Sequence, residues 1–402
     1  MAKSIMIAGT SSGVGKSLLT AGLCRYFADR GYKTAPFKAQ NMSLNSGKTD
    51  DGEISRAQIL QAKAARTLPV PCMNPIILKP LGDNRSMLIR MGKEIGIYSA
   101  KEYYAMKEEN FKVACAAFQT LASEYDVIVL EGAGSPAEIN LLKDDIANMR
   151  MAAYAGAGVI ITGDISRGGV FAALKGTVDL VEEQYRPLIK GFLINKFRGD
   201  SSILASGTSD MESMTGIPVL GVLPWFNHLL EEEDSLDITT EYTARFDMGK
   251  PLRVGIFWMP HMSGYSLFPT FRCYRNVSPC MVRTVWDIAG CDLLVVPDCA
   301  DMKKAAEYWL AQPTEQVLSA VDIPVLGIGG GENLMQFSLY RMWIESADNL
   351  NDIAVAEKFF RLKVPEWQVK DDPNAIYDEQ WGVIAKLFED HVDMEKIIRI
   401  LN

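Results

Sequence analysis

Gly9-Thr10-Ser11-Ser12-Gly13-Val14-Gly15-Lys16-Ser17 lies between the apolar run Ser4–Ala8 and an amphipathic helical pattern over Lys16–Asp29. A strand that turns through glycines into a helix opening on Lys-Ser has the sequence form of a phosphate-binding loop. Its glycines let successive backbone N–H groups converge on an anion, its lysine reaches the outer phosphates, and its hydroxyl faces a magnesium ion. Gly13, Gly15, Lys16 and Ser17 fill those roles, with Thr10, Ser12 and Val14 in the same cofactor-binding loop. The match to GxxxxGK[ST] is loose at one point: Thr10 occupies the first glycine's place and Gly9 falls one residue earlier. The loop predicts a site for ATP with Mg2+; the plainer alternative is a glycine-rich turn followed by an unrelated lysine.

Around the loop, short apolar runs alternate with helical patterns. Tyr125–Leu130, Val159–Ile165, Lys190–Asn195 and Pro218–Leu223 read as strands, and Val170–Val181 as a helix. Strands separated by helix-length segments imply crossovers and a mainly parallel sheet covered on both faces, so the fold class is α/β, doubly wound. A length of 402 residues suits two domains. The acidic run Glu231-Glu232-Glu233-Asp234 and the Ser/Thr-rich stretch up to Lys250 suggest a first domain over 1–235 and a linker over 236–250. A smaller α/β domain is then expected over 251–402, with strands Leu252–Trp258, Leu293–Pro297 and Val325–Ile328 and helices near Gln380–His391 and Met394–Leu401.

Composition narrows the function classes. A net charge of −9 argues against sequence-independent nucleic-acid binding, which depends on neutralising phosphates. No apolar run reaches the eighteen or so residues of a membrane span, and the N-terminal apolar stretch breaks at Gly9 before a secretory core could form. Seven cysteines without a CxxC pair fit reduced thiols and no zinc spacing, so the expected location is the cytoplasm.

Magnesium needs carboxylates at strand ends. Glu131 directly follows Val127–Leu130 and Asp164 follows Val159–Gly163, so each emerges where ligands collect in open α/β sheets. Either could instead cap a following helix. Asn195-Lys196, after Gly191–Ile194, favours contact with a nucleotide base over a plain turn, since an amide pairs with a purine edge and a lysine stem lies along the ring.

Longer stretches carry a family likeness. Phe37–Ser46, Gly52–Gln58, Met73–Pro80, Glu131–Leu141, Gly163–Phe171 and Ile194–Asp200 closely resemble cobyric acid synthase, the glutamine-dependent amidotransferase of cobalamin biosynthesis. The likeness covers residues 1–235, and the loop variant is of the type shared with dethiobiotin synthetase. It implies that ATP phosphorylates corrinoid carboxylates, such as those of a cobyrinic acid a,c-diamide, and that ammonia then displaces phosphate to give amides. Lys16, Glu131 and Asp164 would serve the chemistry. Ser17, Glu53 and Glu131 would hold the metal. Lys38, Gln40, Asn41, Asn45, Lys79 and Arg85 would face the corrinoid, the alternative for any one of them being ordinary loop polarity.

The family's second half is a triad glutaminase whose cysteine sits on a Gly-Ile-Cys-Gly-Gly elbow. Here the elbow reads Gly327-Ile328-Gly329-Gly330-Gly331, and none of His228, His261 and His391 lies in the expected context. Glycine at 329 cannot be acylated, so the second domain is expected to be a degenerate remnant, with nitrogen from free ammonia or a separate glutaminase. Homodimerisation stays open. Two alternatives also stand: an ATP-binding corrinoid sensor or carrier without turnover, favoured by the lost glutaminase parts and by Gly13 where the family usually carries an acid, and a P-loop ligase on another carboxylate.

Overall fold

Of the six strands that hold the loop, five are apolar and buried along most of their length, as a sheet covered on both faces demands, while the edge strand Val219–Pro224 is only half-buried. The structure, a computed structural model, describes residues 2–43, 46–82, 84–140, 145–226, 246, 249–250, 252–260, 262, 271, 274, 276–299, 302–313, 316–317, 323–328, 341–344 and 373–401. Its chain forms two compact units. The first comprises residues 1–43, 48–228 and 381–402, and the second comprises 44–47 and 229–380.

The first unit is built on an all-parallel sheet in the order Val219–Pro224, Ile189–Phe197, Gly158–Asp164, Lys3–Gly9, Val127–Glu131, Thr34–Phe37. Lys3–Gly9 is central. The chain fills one side of it first and then the other, so the strand order reverses there and a crevice opens at the C-terminal ends of the strands. Register places Ile7 beside Glu131, Gly9 beside Thr162 and Asp164 beside Asn195. Every strand-end residue singled out from the sequence therefore reaches the same edge of one sheet.

Between Thr34–Phe37 and Val127–Glu131 lies a β-rich insertion that strand periodicity had not indicated. Gln40–Met42, Ile76–Gly82, Arg85–Arg90 and Lys93–Ser99 form a four-stranded sheet, parallel at its first pair and antiparallel beyond. Its strands carry charges on the open face, which dilutes any apolar run. At the turn Met91-Gly92, Gly92 accepts a bond from the Glu53 N–H at 3.0 Å, and its backbone passes so near Gly52 that a Cβ there would lie 2.8 Å from the Gly92 carbonyl. Only glycine fits at 52, where φ is +140°.

The second unit holds a parallel sheet in the order Val277–Val282, Leu252–Phe257, Leu293–Val296, Val325–Ile328, Arg341–Ile344. Three of these strands were expected; Val277–Val282 and Arg341–Ile344 were not, because Pro279 and the short final run mask the pattern. Gly329, Asn45, His228, His261 and nearly all of the expected linker lie outside the described residues.

One expectation is corrected by packing. The C-terminal helices were assigned to 251–402, yet from Trp381 onward they belong to the first unit. Phe388 and Ile384 press on Gly22 of the helix Lys16–Ala28, Ile400 on Gly158, and the backbone at Val392 bridges to Gly221. Glycines at these three positions leave the hollows that the helices fill. The apolar stripe of Met394–Leu401 is thus core packing: Ile397 is fully buried, while Ile398 stays partly open.

Candidate nucleotide and carboxylate site

Gly15 enters the helix Lys16–Ala28 with φ +98°, and Gly13 has φ +72°. These left-handed conformations turn the loop back over the helix N-terminus, the arrangement that aims amides at phosphate. Gly15 is constrained twice, since a Cβ there would lie 2.4 Å from the Asn195 amide nitrogen. Lys16 is buried and its ammonium donates to the Ser11 carbonyl at 2.9 Å, so its charge is held over the loop.

Asn195 and Lys196, expected to contact a base, brace the loop itself in this structure. Asn195 Nδ2 donates to the Val14 carbonyl at 2.9 Å, and Lys196 Nζ to the Gly13 carbonyl at 2.7 Å. Lys196 adopts φ +60° to do so and also lies 3.3 Å from Asp164 Oδ2. Asp164 Oδ1 accepts from the Ser166 N–H and hydroxyl, a local turn of the capping kind weighed as its alternative role. The guanidinium of Arg198 stacks 4.3 Å above Trp225, at the end of the outermost strand.

Glu131 is the centre of the site. Its side chain is 0% exposed. Oε1 accepts from Ser17 Oγ at 2.8 Å and from Lys38 Nζ at 2.9 Å, while Oε2 accepts from Gln58 at 3.3 Å and from Gln61. Gln61 also donates to the Ser17 carbonyl at 3.2 Å. A buried carboxylate is tolerated only with a counter-charge and saturated lone pairs, and this one has both. Its field is felt nearby: burial first, then the Glu131 charge, pushes the Cys24 thiol far above the ordinary cysteine range.

Ser17 Oγ and Glu131 Oε1 fit a magnesium ion by their chemistry and spacing. Both are hard oxygens, and their 2.8 Å separation approaches the edge of an octahedron with bonds of about 2.0–2.1 Å. Glu53, the third expected metal residue, forms an ion pair with Lys79, so a predicted metal ligand and a predicted substrate residue meet each other.

The remaining substrate candidates are dispersed. Lys38 and Asn41 are buried, Lys38 against Glu131. Gln40 accepts from the Tyr103 hydroxyl, and Arg85 is exposed with a bond to the Ile97 carbonyl. Sequence reasoning passed over Gln61 and Asn148. Gln61 follows Gln58 at helical spacing with both amides buried, a signal visible only once the helix Arg56–Ala64 is recognised. Asn148 clasps the Ala133 N–H and carbonyl at 3.1 and 2.8 Å, and its Oδ1 occupies the space a Cβ at Gly132 would need.

Comparison with known proteins identifies the family of the chain. Residues 5–237 match a family described as the CobQ/CobB/MinD/ParA nucleotide binding domain. Cobyric acid synthase from Desulforudis audaxviator is 43% identical over 339 residues, spanning 83% of this chain and 68% of that protein. The chain belongs to the cobyric acid synthase family. Another member, from Salmonella arizonae, is 44% identical over 341 residues, spanning 83% of this chain and 67% of its own length. A solved signal recognition particle receptor FtsY from Elizabethkingia anophelis in complex with GDP aligns at 16% identity and a TM-score of 0.35, covering 56% of this chain and 58% of that one. Membership of the cobyric acid synthase family accounts for the α/β fold with its nucleotide loop and makes the chain a ligase relative. No helix among the described residues is long and apolar enough to cross a membrane.

Proposed function

We propose that this chain amidates side-chain carboxylates of a corrinoid such as cobyrinic acid a,c-diamide at the expense of ATP, with ammonia from solution or from a separate glutaminase. The observation that carries the reading is the convergence on Glu131: the loop hydroxyl Ser17 and the buried cation Lys38 meet one carboxylate at the edge of the sheet where the phosphate loop opens. Such a cluster suits phosphoryl transfer, in which catalysis is mainly positioning and charge stabilisation.

In this scheme a substrate carboxylate oxygen bonds to the γ-phosphorus as the bond to the bridging oxygen of ADP breaks. Ammonia then bonds to the acyl carbon and phosphate leaves with its oxygen, the surplus proton passing to solvent. Lys16 would hold the outer phosphates, and Lys38, paired with Glu131, would add positive charge beside the loop. Ser17 and Glu131, with Glu53 once released from Lys79, would hold Mg2+, which when bound neutralises phosphate charge. The Gly327–Gly331 elbow supplies no thiol, so glutamine would not be used by this chain alone.

The scheme is tested by oxygen transfer. With the corrinoid carboxylates labelled with 18O, one label per amide formed should appear in inorganic phosphate, and Lys16→Ala should abolish it. Amide formation without label in phosphate would remove the acyl phosphate. Tight corrinoid binding with no ADP release under any nitrogen source would instead favour a sensor or carrier.

A further inference from the structure

The two glutamines behind Glu131 have no part in the scheme above, yet both are buried with their amides turned onto its carboxylate. They form a relay: Ser55 Oγ donates to Gln58 Oε1, Gln58 Nε2 donates to Gln61 Oε1 at 3.3 Å, and Gln61 Nε2 donates to Glu131 Oε2. The Gln61 amide also reaches the Ser17 carbonyl at 3.2 Å. One side chain therefore touches both residues whose oxygens, Ser17 Oγ and Glu131 Oε1, stand 2.8 Å apart facing each other.

We infer that Gln61 is a positioning residue for the divalent cation: it clamps Glu131 by Oε2 so that Oε1 stays turned to the Ser17 hydroxyl, and ties that carboxylate to the first turn of the loop helix. Gln58 supports it by fixing the Gln61 amide orientation, since a bond to Oε1 leaves the N–H₂ end pointing at Glu131. Without Gln61, Oε2 keeps only the 3.3 Å bond from Gln58, and the carboxylate is held less firmly about its terminal torsion, whose preference is broad. Outer partners that fix a metal-binding carboxylate typically change metal affinity by about 10–100-fold. The inference rests on the nucleotide-and-magnesium part of the proposed function and is independent of the corrinoid.

The test uses the full chain and no corrinoid. Binding of a fluorescent ADP analogue is titrated with and without EDTA, and the Mg2+ concentration for half-maximal enhancement is measured for wild type, Gln61→Met and Gln58→Met. Methionine keeps the length and removes the donors. Gln61→Met should raise the half-saturating Mg2+ by about tenfold or more, with affinity in EDTA within about twofold. Gln58→Met should shift it in the same direction by less. A fall in ADP affinity that is equal with and without Mg2+ would show a merely structural role and overturn the inference, as would a wild type whose ADP binding ignores Mg2+. Should Gln61→Met fail to fold, Gln58→Met decides: an unchanged Mg2+ requirement overturns it. Failure of the corrinoid reading would show separately, as absent amidation by a wild type that still binds ADP with Mg2+.

Discussion

Glu131 is the most constrained residue of the candidate site, its buried carboxylate paired with the buried Lys38 ammonium. Removing one partner of such a pair strands the other in a low-dielectric setting. Glu131→Gln should therefore lose about 3–5 kcal/mol in urea denaturation, and adding Lys38→Met should restore much of that while ADP release stays absent. Equal stability of the single and double variants would mean that the pair is not coupled. Thiol chemistry gives a second check. Cys24 is pushed far up by burial and by Glu131, and Cys291 is pushed up to about 12, by burial first and then by its acidic and thiol neighbours. A raised thiol pKa means less thiolate at a given pH, so at pH 8 both should stay unalkylated in the native chain while reacting fully in urea. Rapid native labelling of Cys24 would place water, and not packed side chains, beside Glu131.

At the scale of elements, the helix Lys16–Ala28 is pinned from behind by the C-terminal segment. A Cβ on Gly22 would meet Ile384 and Phe388 at 2.6 Å, and Phe388 has no exposed surface into which to move. Gly22→Val should cost about 1–3 kcal/mol and make the segment beyond Trp381 an early site of limited proteolysis. Unchanged protease resistance would show that the terminal helices do not depend on that hollow. The sequence already contained the stripe Ile397, Ile398, Ile400 and Leu401, but not its partner: periodicity shows that a helix has an apolar face and says nothing of which surface, hundreds of residues away, supplies the matching glycines. The Lys16–Ala28 helix was legible from its amphipathic pattern after the loop, and the strands ending in Glu131 and Asp164 because each pairs an apolar run with a carboxylate at its end. The insertion between 40 and 99 was not, since its strands are half exposed and their apolar runs are short and broken by Lys79, Pro80 and Gly96.

For the whole molecule, the site was legible as a set of strand ends and illegible as a network. Glu131, Asp164 and Asn195 follow from topology, because parallel strands must end at one edge, and Ser17 follows from the loop that leaves the central strand there. That Asn195 and Lys196 would brace the loop carbonyls, that Lys38 would turn inward and that Glu53 would pair with Lys79 depends on side-chain choices which spacing does not encode. Among the described residues the second unit holds a five-stranded parallel sheet, and in the sequence the strand Val325–Ile328 is followed by Gly329. Under the proposed function, glycine at 329 would leave the synthetase reaction to draw nitrogen from elsewhere.

The central claim is tested most directly by one assay: ADP release and amide formation by the purified chain with ATP, Mg2+ and cobyrinic acid a,c-diamide, comparing ammonium with glutamine at equal nitrogen. The expected result is corrinoid-dependent ADP release and amidation with ammonium and none above background with glutamine. Turnover with glutamine alone, or no amide with ammonium at any concentration, would contradict it.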